Sequence, residues 1–254
     1  MTEPTTKGTT APIVVAINAV RRCGRTLELA TTLASRIGAD LDVVFVENTN
    51  LLRLADLPVT REIDRVSGMA RDLDSQRILR ALRGEARQLR REVSRLEKAA
   101  SVRSTVRVVQ GHYFTEALAA SAKADITFVH AAGPAGGRGK RTPLWTLFDG
   151  SPASARALKM AVELAHTLAG DLVVLVPGRF AGDIENRKRE AQQAAETADL
   201  QYLVVAGDRL SQLGGPLAPR AGSVLVLARK SPDLEDSAAR SYLESLDVPV
   251  VLVA

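Results

Sequence analysis

Glycines beside basic residues are the part of this chain best suited to chemistry. The segment at residues 133–141 opens with Gly133 and Gly136 and carries three basic side chains, Arg138, Lys140 and Arg141. Glycines let backbone N–H groups approach a phosphate that larger residues would block, and the basic side chains add positive charge. The segment could therefore cradle an anion. A flexible linker with basic residues for solubility is the favoured interpretation.

Asp149, Gly150 and Ser151 form a second candidate, at a turn between a predicted strand and a predicted helix. The carboxylate of Asp149 could hold a ribose or a metal-bound phosphate. An aspartate at a strand-to-helix turn is equally ordinary turn chemistry. Both interpretations stay open on the sequence alone.

Catalytic and metal chemistry have little support. The three histidines, His112, His130 and His166, are scattered without ligand spacing, and Cys23 is the single cysteine, so a metal site is not indicated. A nucleophile elbow, a Walker-type loop and a dinucleotide-binding loop are all absent as placed motifs. Cys23 stands at a predicted helix start, which would lower its pKa, but a plain small residue in that turn is favoured. The sequence does not indicate a catalytic constellation, and a binding role is favoured over enzymatic activity.

The charge of +5 and the pI near 9.6 suggest nucleic acid, but the distribution of the charge matters more than its sum. Aromatic residues, which form stacking platforms for single strands, make up only 4% of the chain. A basic ridge recurs every four residues on one predicted helix, at Arg83, Arg87, Arg91 and Arg95. The ridge could meet an acidic partner, but Glu85, Glu92 and Glu97 lie nearby and favour a solvated face. An anion- or nucleic-acid-associated protein is the lesser alternative.

The chain is expected to be cytoplasmic and to have no membrane partner. No stretch approaches the roughly eighteen consecutive apolar residues of a membrane span. Residues 1–11 are polar, lack the apolar core of a signal peptide and are predicted to be a disordered tail. A lone cysteine fits a reducing compartment.

The elements that must position these residues occur twice. Residues 12–45 align without a gap on residues 143–176, and a second echo sets residues 124–129 over residues 198–203. Self-similarity at this long period predicts a duplicated domain. We expect domain 1 at residues 12–142, with a long helical insert, and a shortened domain 2 at residues 143–254. The identical pairs of the first alignment are Pro12/Pro143, Arg25/Arg156, Leu27/Leu158, Ala30/Ala161, Leu33/Leu164, Ala34/Ala165, Asp40/Asp171, Leu41/Leu172 and Val43/Val174.

Each copy is predicted to alternate strands with helices. The first copy has predicted strands at residues 13–17, 40–47, 105–110 and 126–131, and later helices at residues 75–100 and 114–122. The second copy has predicted strands at residues 171–176, 201–206, 223–228 and 248–253, a helix at residues 184–197 and a helix after the Ser231-Pro232 cap signal. It is predicted to have lost one helix–strand unit. The fold class is therefore α/β: two tandem open, mainly parallel sheets, each in a Rossmann-like three-layer sandwich.

Residues 148–158, Phe-Asp-Gly-Ser-Pro-Ala-Ser-Ala-Arg-Ala-Leu, resemble the opening of a universal stress protein domain. Val-Pro-Val-Val-Leu-Val at residues 248–253 is similar to that family's last strand, and residues 102–111 followed by Ala124-Asp125 fit the same template. The resemblance covers nearly all of the chain beyond the tail. It implies an adenine-nucleotide-hydrolase-like fold, with ATP as the candidate cofactor at the carboxyl ends of the strands, where open α/β sheets take ligands.

The site that the resemblance implies is incomplete in both copies. It comprises Asp149, Gly150 and Ser151 after the first strand, the backbone at Val176 after the second, and a glycine loop after the fourth. That loop is Gly, two residues, Gly, nine residues, then Gly followed by Ser or Thr. The first copy has Asn18 in place of Asp149, and its loop starts with Gly133 and Gly136 but lacks the closing Gly-Ser/Thr and the fifth strand. The second has Leu210 where a glycine is expected, and its remaining candidates are at the wrong spacing: Gly207, Gly214, Gly215, Gly222 and Ser223.

The leading hypothesis is a tandem universal-stress-type protein that acts in the stress response by protein association rather than by turnover. The two copies are expected to pack as an intramolecular pseudo-dimer, and a homodimer is also open. The alternative is an ATP-binding switch with weak hydrolysis, using the Asp149 site or a composite of both halves.

Overall fold

The computed structural model describes residues 11–20, 23–48, 61–63, 70–72, 75–130, 142–196, 199–206, 222–246 and 248–254. The strands are β1 Ile13–Ile17, β2 Leu41–Asn48, β3 Arg61–Ile63, β4 Ala70–Asp72, β5 Ser104–Gly111, β6 Ile126–His130, β7 Leu144–Leu147, β8 Leu172–Gly178, β9 Gln201–Ala206, β10 Val224–Ala228 and β11 Pro249–Val253. The helices are α1 Gly24–Ile37, α2 Ser75–Ala100, α3 Tyr113–Ser121, α4 Pro152–Leu168, α5 Ala181–Ala195 and α6 Ser237–Ser245, with a short 3-10 helix at Pro232–Leu234.

Nine of these strands form one open sheet, in the order β5-β2-β1-β6-β11-β10-β7-β8-β9. All neighbours are parallel except β6 and β11, which pair antiparallel with Phe128 opposite Val251. The predicted α/β class is confirmed. The two expected sheets are halves of one sheet: β5, β2, β1 and β6 come from the first copy, and the other five strands come from the second.

The repeated strand–helix unit forms for local reasons. Every residue of β1 is buried, as expected for a strand covered on both faces of a parallel sheet. Ser151 caps α4, since its Oγ accepts a hydrogen bond from the Ser154 N–H at 3.1 Å, and Pro152 occupies the first turn, where a missing N–H costs nothing. Both α1 and α4 end in a left-handed residue, Gly38 in the first copy and Ala169 in the second.

The core has two layers of side chains, one on each face of the sheet, and each layer runs through both halves. Helices α1, α2, α4 and α5 cover one face. Helices α3 and α6 cover the other. The three-layer arrangement is therefore as predicted, but the apolar core on each face is shared between the copies.

The sheet order corrects the second sequence echo. Residues 198–203 align in sequence with the region of β6, yet β9 lies at the sheet edge beside β8 and so corresponds to the edge strand β5. The fourth strand of the second half is β10, and its fifth is β11. The second half therefore keeps five strands, and the proposed loss of a strand unit is wrong. The long insert of the first half also contains an antiparallel pair, β3 and β4, that the sequence did not indicate.

None of the described helices is long and apolar enough to cross a membrane. The predicted tail at residues 1–11 lies outside the described residues except for Ala11.

Candidate functional site

The carboxyl ends of the strands, where a ligand could bind, point in opposite directions in the two halves of the sheet. Because β6 and β11 are antiparallel, β1 and β7 run in opposite directions. Asn18 follows β1 at one edge, and Asp149 follows β7 at the other. A composite site built from these two positions is therefore excluded, and each half must be considered separately.

Asp149 is engaged by its own turn. Its Oδ1 accepts a hydrogen bond from the Ser151 N–H at 2.9 Å, and Gly150 between them has a φ of 87° that favours glycine. Burial alone would raise the pKa of Asp149, but hydrogen bonds from Ser154 and Ser151 outweigh it and hold that pKa below its ordinary value. The carboxylate stabilises the start of α4, which is the turn chemistry anticipated as one of its two roles.

Helix α5 lies over the end of β8, where the backbone at Val176 was expected to form part of the nucleotide site. Val176 is fully buried. The next carbonyl, that of Pro177, accepts a hydrogen bond from Nη1 of Arg187. A Cβ placed on Gly178 would lie 2.5 Å from Cγ1 of Ile184, so that side chain packs directly on the glycine. Side chains of α5 therefore occupy the Pro177 carbonyl and the space beside Gly178.

A carboxylate closes the same edge. A Cβ placed on Gly150 would lie 3.2 Å from Oε2 of Glu190 on α5. Its negative charge beside the Asp149 turn would repel a phosphate at this point. The second half is thus poorly suited to a nucleotide.

The glycine loop of the second half was assigned to the wrong strand. Gly222 and Ser223 precede β10, so they lie at its amino end, on the opposite edge of the sheet from Asp149. The carbonyl of Gly222 accepts a hydrogen bond there from Arg25 of the first half at 2.8 Å. Gly207, Gly214 and Gly215 lie outside the described residues. The error arose because any buried strand carries the same apolar pattern, whereas its neighbours are set by long-range pairing.

The segment that does follow the fourth strand, residues 229–236, contains no glycine. Arg229 instead reaches into the first half, where Nη1 donates to the carbonyls of Ser121 and Ala124 at the end of α3, the latter at 3.0 Å. Asp236 then caps α6 by accepting from the Ala238 N–H at 3.1 Å. This connection binds the two halves together and offers no backbone cradle for phosphate.

The first half keeps more of the expected arrangement. Asn18 follows β1, which lies between β2 and β6. The helices that connect the chain to these two neighbours, α1 and α3, cover opposite faces of the sheet, and open sheets form a ligand crevice at such a position. Its Oδ1 is buried without a hydrogen-bond partner in the part of the chain that the structure describes. Gly133 and Gly136 come directly after β6, in the topologically correct position, but lie outside the described residues.

Cys23 does not have the activated character considered for a helix start. Burial raises the pKa of the thiol to about 11, and the nearby carboxylates Glu92 and Glu85 add to the rise. Sγ donates a hydrogen bond to the Val20 carbonyl at 3.1 Å. Cys23 is therefore a buried small residue, as favoured, and its predicted lowered pKa is wrong.

Two arginines that hold the halves together were missed as functional residues. Besides the Gly222 carbonyl of the second half, Arg25 donates to Thr142 Oγ1 at 2.7 Å, at the end of its own half. Arg229 makes the second bridge. Sequence identity at Arg25/Arg156 was the one available signal, since an arginine retained in both copies beside apolar identities suggests a shared contact. The partners of both arginines depend on the tertiary fold.

Comparison with known proteins bears on the fold. No protein-family model matches the sequence, and no curated protein matches it. The structure is similar to a universal stress protein from Archaeoglobus fulgidus DSM 4304, with a TM-score of 0.57, 14% identity and 96% of each chain covered. The cytoplasmic domain of a prokaryotic cation chloride cotransporter gives a TM-score of 0.44 at 12% identity, covering 96% of this chain and 95% of that one. A universal stress protein in complex with cAMP gives 0.36 at 22% identity, covering 44% of this chain and 96% of that one.

The first of these similarities extends over both whole chains. The protein therefore has the fold of the universal stress proteins. A fold shared at this identity leaves function to be argued from the site.

Proposed function

We propose that this chain is a universal-stress-type protein that acts in the stress response by associating with protein partners, without catalytic turnover. The closure of the second half by α5 carries the proposal. Arg187 occupies the Pro177 carbonyl, Ile184 packs on Gly178, and Glu190 lies against Gly150. Because its own side chains cover the strand ends where a ligand would bind, the second half is suited to presenting a fixed surface to a protein partner.

The connections of the two halves support the same conclusion. Arg229 and Arg25 donate hydrogen bonds to backbone carbonyls of the opposite half, at Ala124 and Gly222. Such contacts fix the relative position of the copies, as an intramolecular pseudo-dimer requires. We place the protein in the cytoplasm, and a further homodimer is compatible with the proposal.

Calorimetry with ATP on nucleotide-stripped protein tests the proposal. We expect no ATP binding that depends on Asp149. The variant Asp149→Asn is the suitable probe, because its amide oxygen can still accept the Ser151 N–H and preserve the turn. Binding that is present in the parent chain and lost in Asp149→Asn would contradict the proposal.

An ATP-binding switch with weak hydrolysis is the second candidate function, and the first half favours it. The Oδ1 of Asn18 at the end of β1 has no hydrogen-bond partner among the described residues, and Gly133 and Gly136 follow the adjacent β6 in sequence. A buried acceptor without a partner costs about 1–3 kcal/mol, which a ligand donor would recover. ATP binding and slow phosphate release that persist in Asp149→Asn but disappear in Asn18→Ala would establish this function.

A further inference from the structure

Helix α2 has a net charge equal to that of the whole chain. It contains seven arginines, one lysine and three glutamates, a formal charge of +5 that equals the formal charge of the entire chain. The positive and negative charges of the remaining residues are therefore equal in number, and the excess positive charge is concentrated on this one helix.

Four of the arginines line a cavity. Arg80, Arg83, Arg87 and Arg90 follow one another at three- and four-residue steps, so they share an arc of about 80° on a helix with roughly 100° per residue. They face a cavity of about 480 Å³ whose other wall is formed by Val108 of β5 and Glu47 at the end of β2. This volume is within the usual range for small-molecule sites, about 300–1,000 Å³.

The three glutamates of α2 do not pair with these four arginines. Glu85 accepts a hydrogen bond from the Val20 N–H at 3.4 Å, Glu92 pairs with Arg95 at 3.2 Å, and Glu97 accepts from the Ser104 N–H at 3.4 Å. All three are committed to contacts outside the cavity. The nearby glutamates had favoured a solvated face, but their side chains are used elsewhere.

Two of the cavity arginines have unused guanidinium groups. No ion pair or side-chain hydrogen bond joins Arg83 or Arg90 to any residue that the structure describes. The one carboxylate of the cavity, Glu47, is only 8% exposed, and its Oε2 accepts from Nε2 of Gln110 at 3.1 Å. Within the described residues, the cavity is thus lined by four exposed arginines and one carboxylate. Like charges at these helical spacings repel one another, and a bound anion would relieve that repulsion.

We propose that the cavity between α2 and the β2–β5 edge binds a small molecule bearing two or more phosphate groups. Guanidinium groups match phosphate oxygens with paired N–H donors, and several on one concave wall select an anion of multiple charge. The site uses none of Asn18, Asp149 or the glycine loops. It stands independently of the proposed function and adds a ligand to it.

Titration calorimetry of the full chain with inorganic tripolyphosphate tests the site without any contribution from a nucleoside. We expect binding at low salt that weakens as salt rises, because exposed charges are screened. The double variant Arg83→Gln/Arg90→Gln should weaken binding at least tenfold. The matched control Arg91→Gln/Lys98→Gln removes the same charge from the same helix outside the stripe and should change the affinity less than threefold.

Glu47→Gln supplies a second readout of opposite sign. Removing the carboxylate while keeping the shape and a hydrogen bond to Gln110 should tighten tripolyphosphate binding severalfold. Equal weakening by the two arginine pairs, an unchanged affinity in Glu47→Gln, or no binding at low salt would each overturn the proposal. Tight binding of a polyglutamate peptide without binding of tripolyphosphate would also overturn it. With ATP as titrant, loss in Arg83→Gln/Arg90→Gln but not in Asn18→Ala separates this cavity from a nucleotide crevice.

Discussion

The thiol of Cys23 shows how burial governs a single residue. Its pKa is raised from 9.0 to about 11, chiefly because ionisation would place a charge in the core. The folded state holds this proton more tightly than the unfolded chain does. The stabilising contribution is therefore intact below pH 9 and is lost as the pH rises towards 11.

We predict that iodoacetamide at pH 8.5 alkylates Cys23 much more slowly in the native protein than in urea. Mass spectrometry of timed, quenched samples measures both rates. The urea midpoint should also fall between pH 9 and 11, and less steeply in Cys23→Ala. Similar alkylation rates in the native and unfolded states would show that the thiol is accessible and ionised.

Ala169 is the second residue with a clear cost. It ends α4 with a φ of 47°, where the first copy has Gly38 with a φ of 66°. A left-handed conformation costs a residue with a Cβ about 1–2 kcal/mol that glycine does not incur.

We predict that Ala169→Gly raises the free energy of unfolding by roughly 0.5–1 kcal/mol, after the greater entropy of glycine in the unfolded chain is deducted. Urea denaturation at pH 7 measures it. The reciprocal change Gly38→Ala should lower stability by more than 1 kcal/mol, about the cost of forcing a Cβ into this conformation. A destabilised Ala169→Gly variant would show that this end of α4 is held by other contacts.

At the scale of elements, α5 packs closely on β8 and covers the strand end where a nucleotide was expected to bind. This packing depends on the absence of a side chain at Gly178, whose Cβ would lie 2.5 Å from Ile184. Only glycine lets the helix approach the strand so closely.

We predict that Gly178→Ala lowers the free energy of unfolding by about 1–3 kcal/mol through overpacking. The double variant Gly178→Ala/Ile184→Ala should recover part of that loss, because the clash disappears. Chemical denaturation of the parent, both single variants and the double variant gives the coupling energy. Additive effects in this cycle would mean that the two side chains do not meet.

At the scale of the molecule, the antiparallel β6–β11 pair joins the copies into one sheet, and each core layer continues across it. Arg229 reinforces the junction from the second half by capping α3 of the first. A cation at a helix C-terminus is favoured by the helix dipole. The division into domains at residues 12–142 and 143–254 stays a prediction.

We predict that Arg229→Ala lowers the free energy of unfolding by about 1–3 kcal/mol, because it removes a charged donor from the Ser121 and Ala124 carbonyls, although Ser121 still accepts from the Ala124 N–H. Its exposed neighbour provides the control, and Lys230→Ala should change stability by less than about 0.5 kcal/mol. Thermal and urea unfolding measure both variants. Equal effects of the two substitutions would contradict a specific role for Arg229 at the junction.

We also predict that the two halves unfold together. Hydrogen exchange across a urea series should expose the β1–β2 peptides and the β7–β8 peptides at the same denaturant concentration, because neither half has a core of its own. Two separate transitions would instead indicate independent domains.

The sequence by itself determined the elements and their class. The apolar run of β1, the stripe of α1 and the Ser151-Pro152 start of α4 are local signals, and the predicted helix at Ser75–Ala100 has the same bounds in the structure. It also indicated the duplication and the universal stress protein fold, since repeated local patterns are visible without contacts. Which strand lies beside which was decided only by the tertiary structure, because the buried strand β6 and the edge strand β9 have similar apolar sequences. The same holds for the site. Gly222 lies at the opposite end of the strands from the one expected, Arg187 donates a hydrogen bond to a backbone carbonyl, and Arg83 lines a cavity. These placements follow from the tertiary packing of the elements.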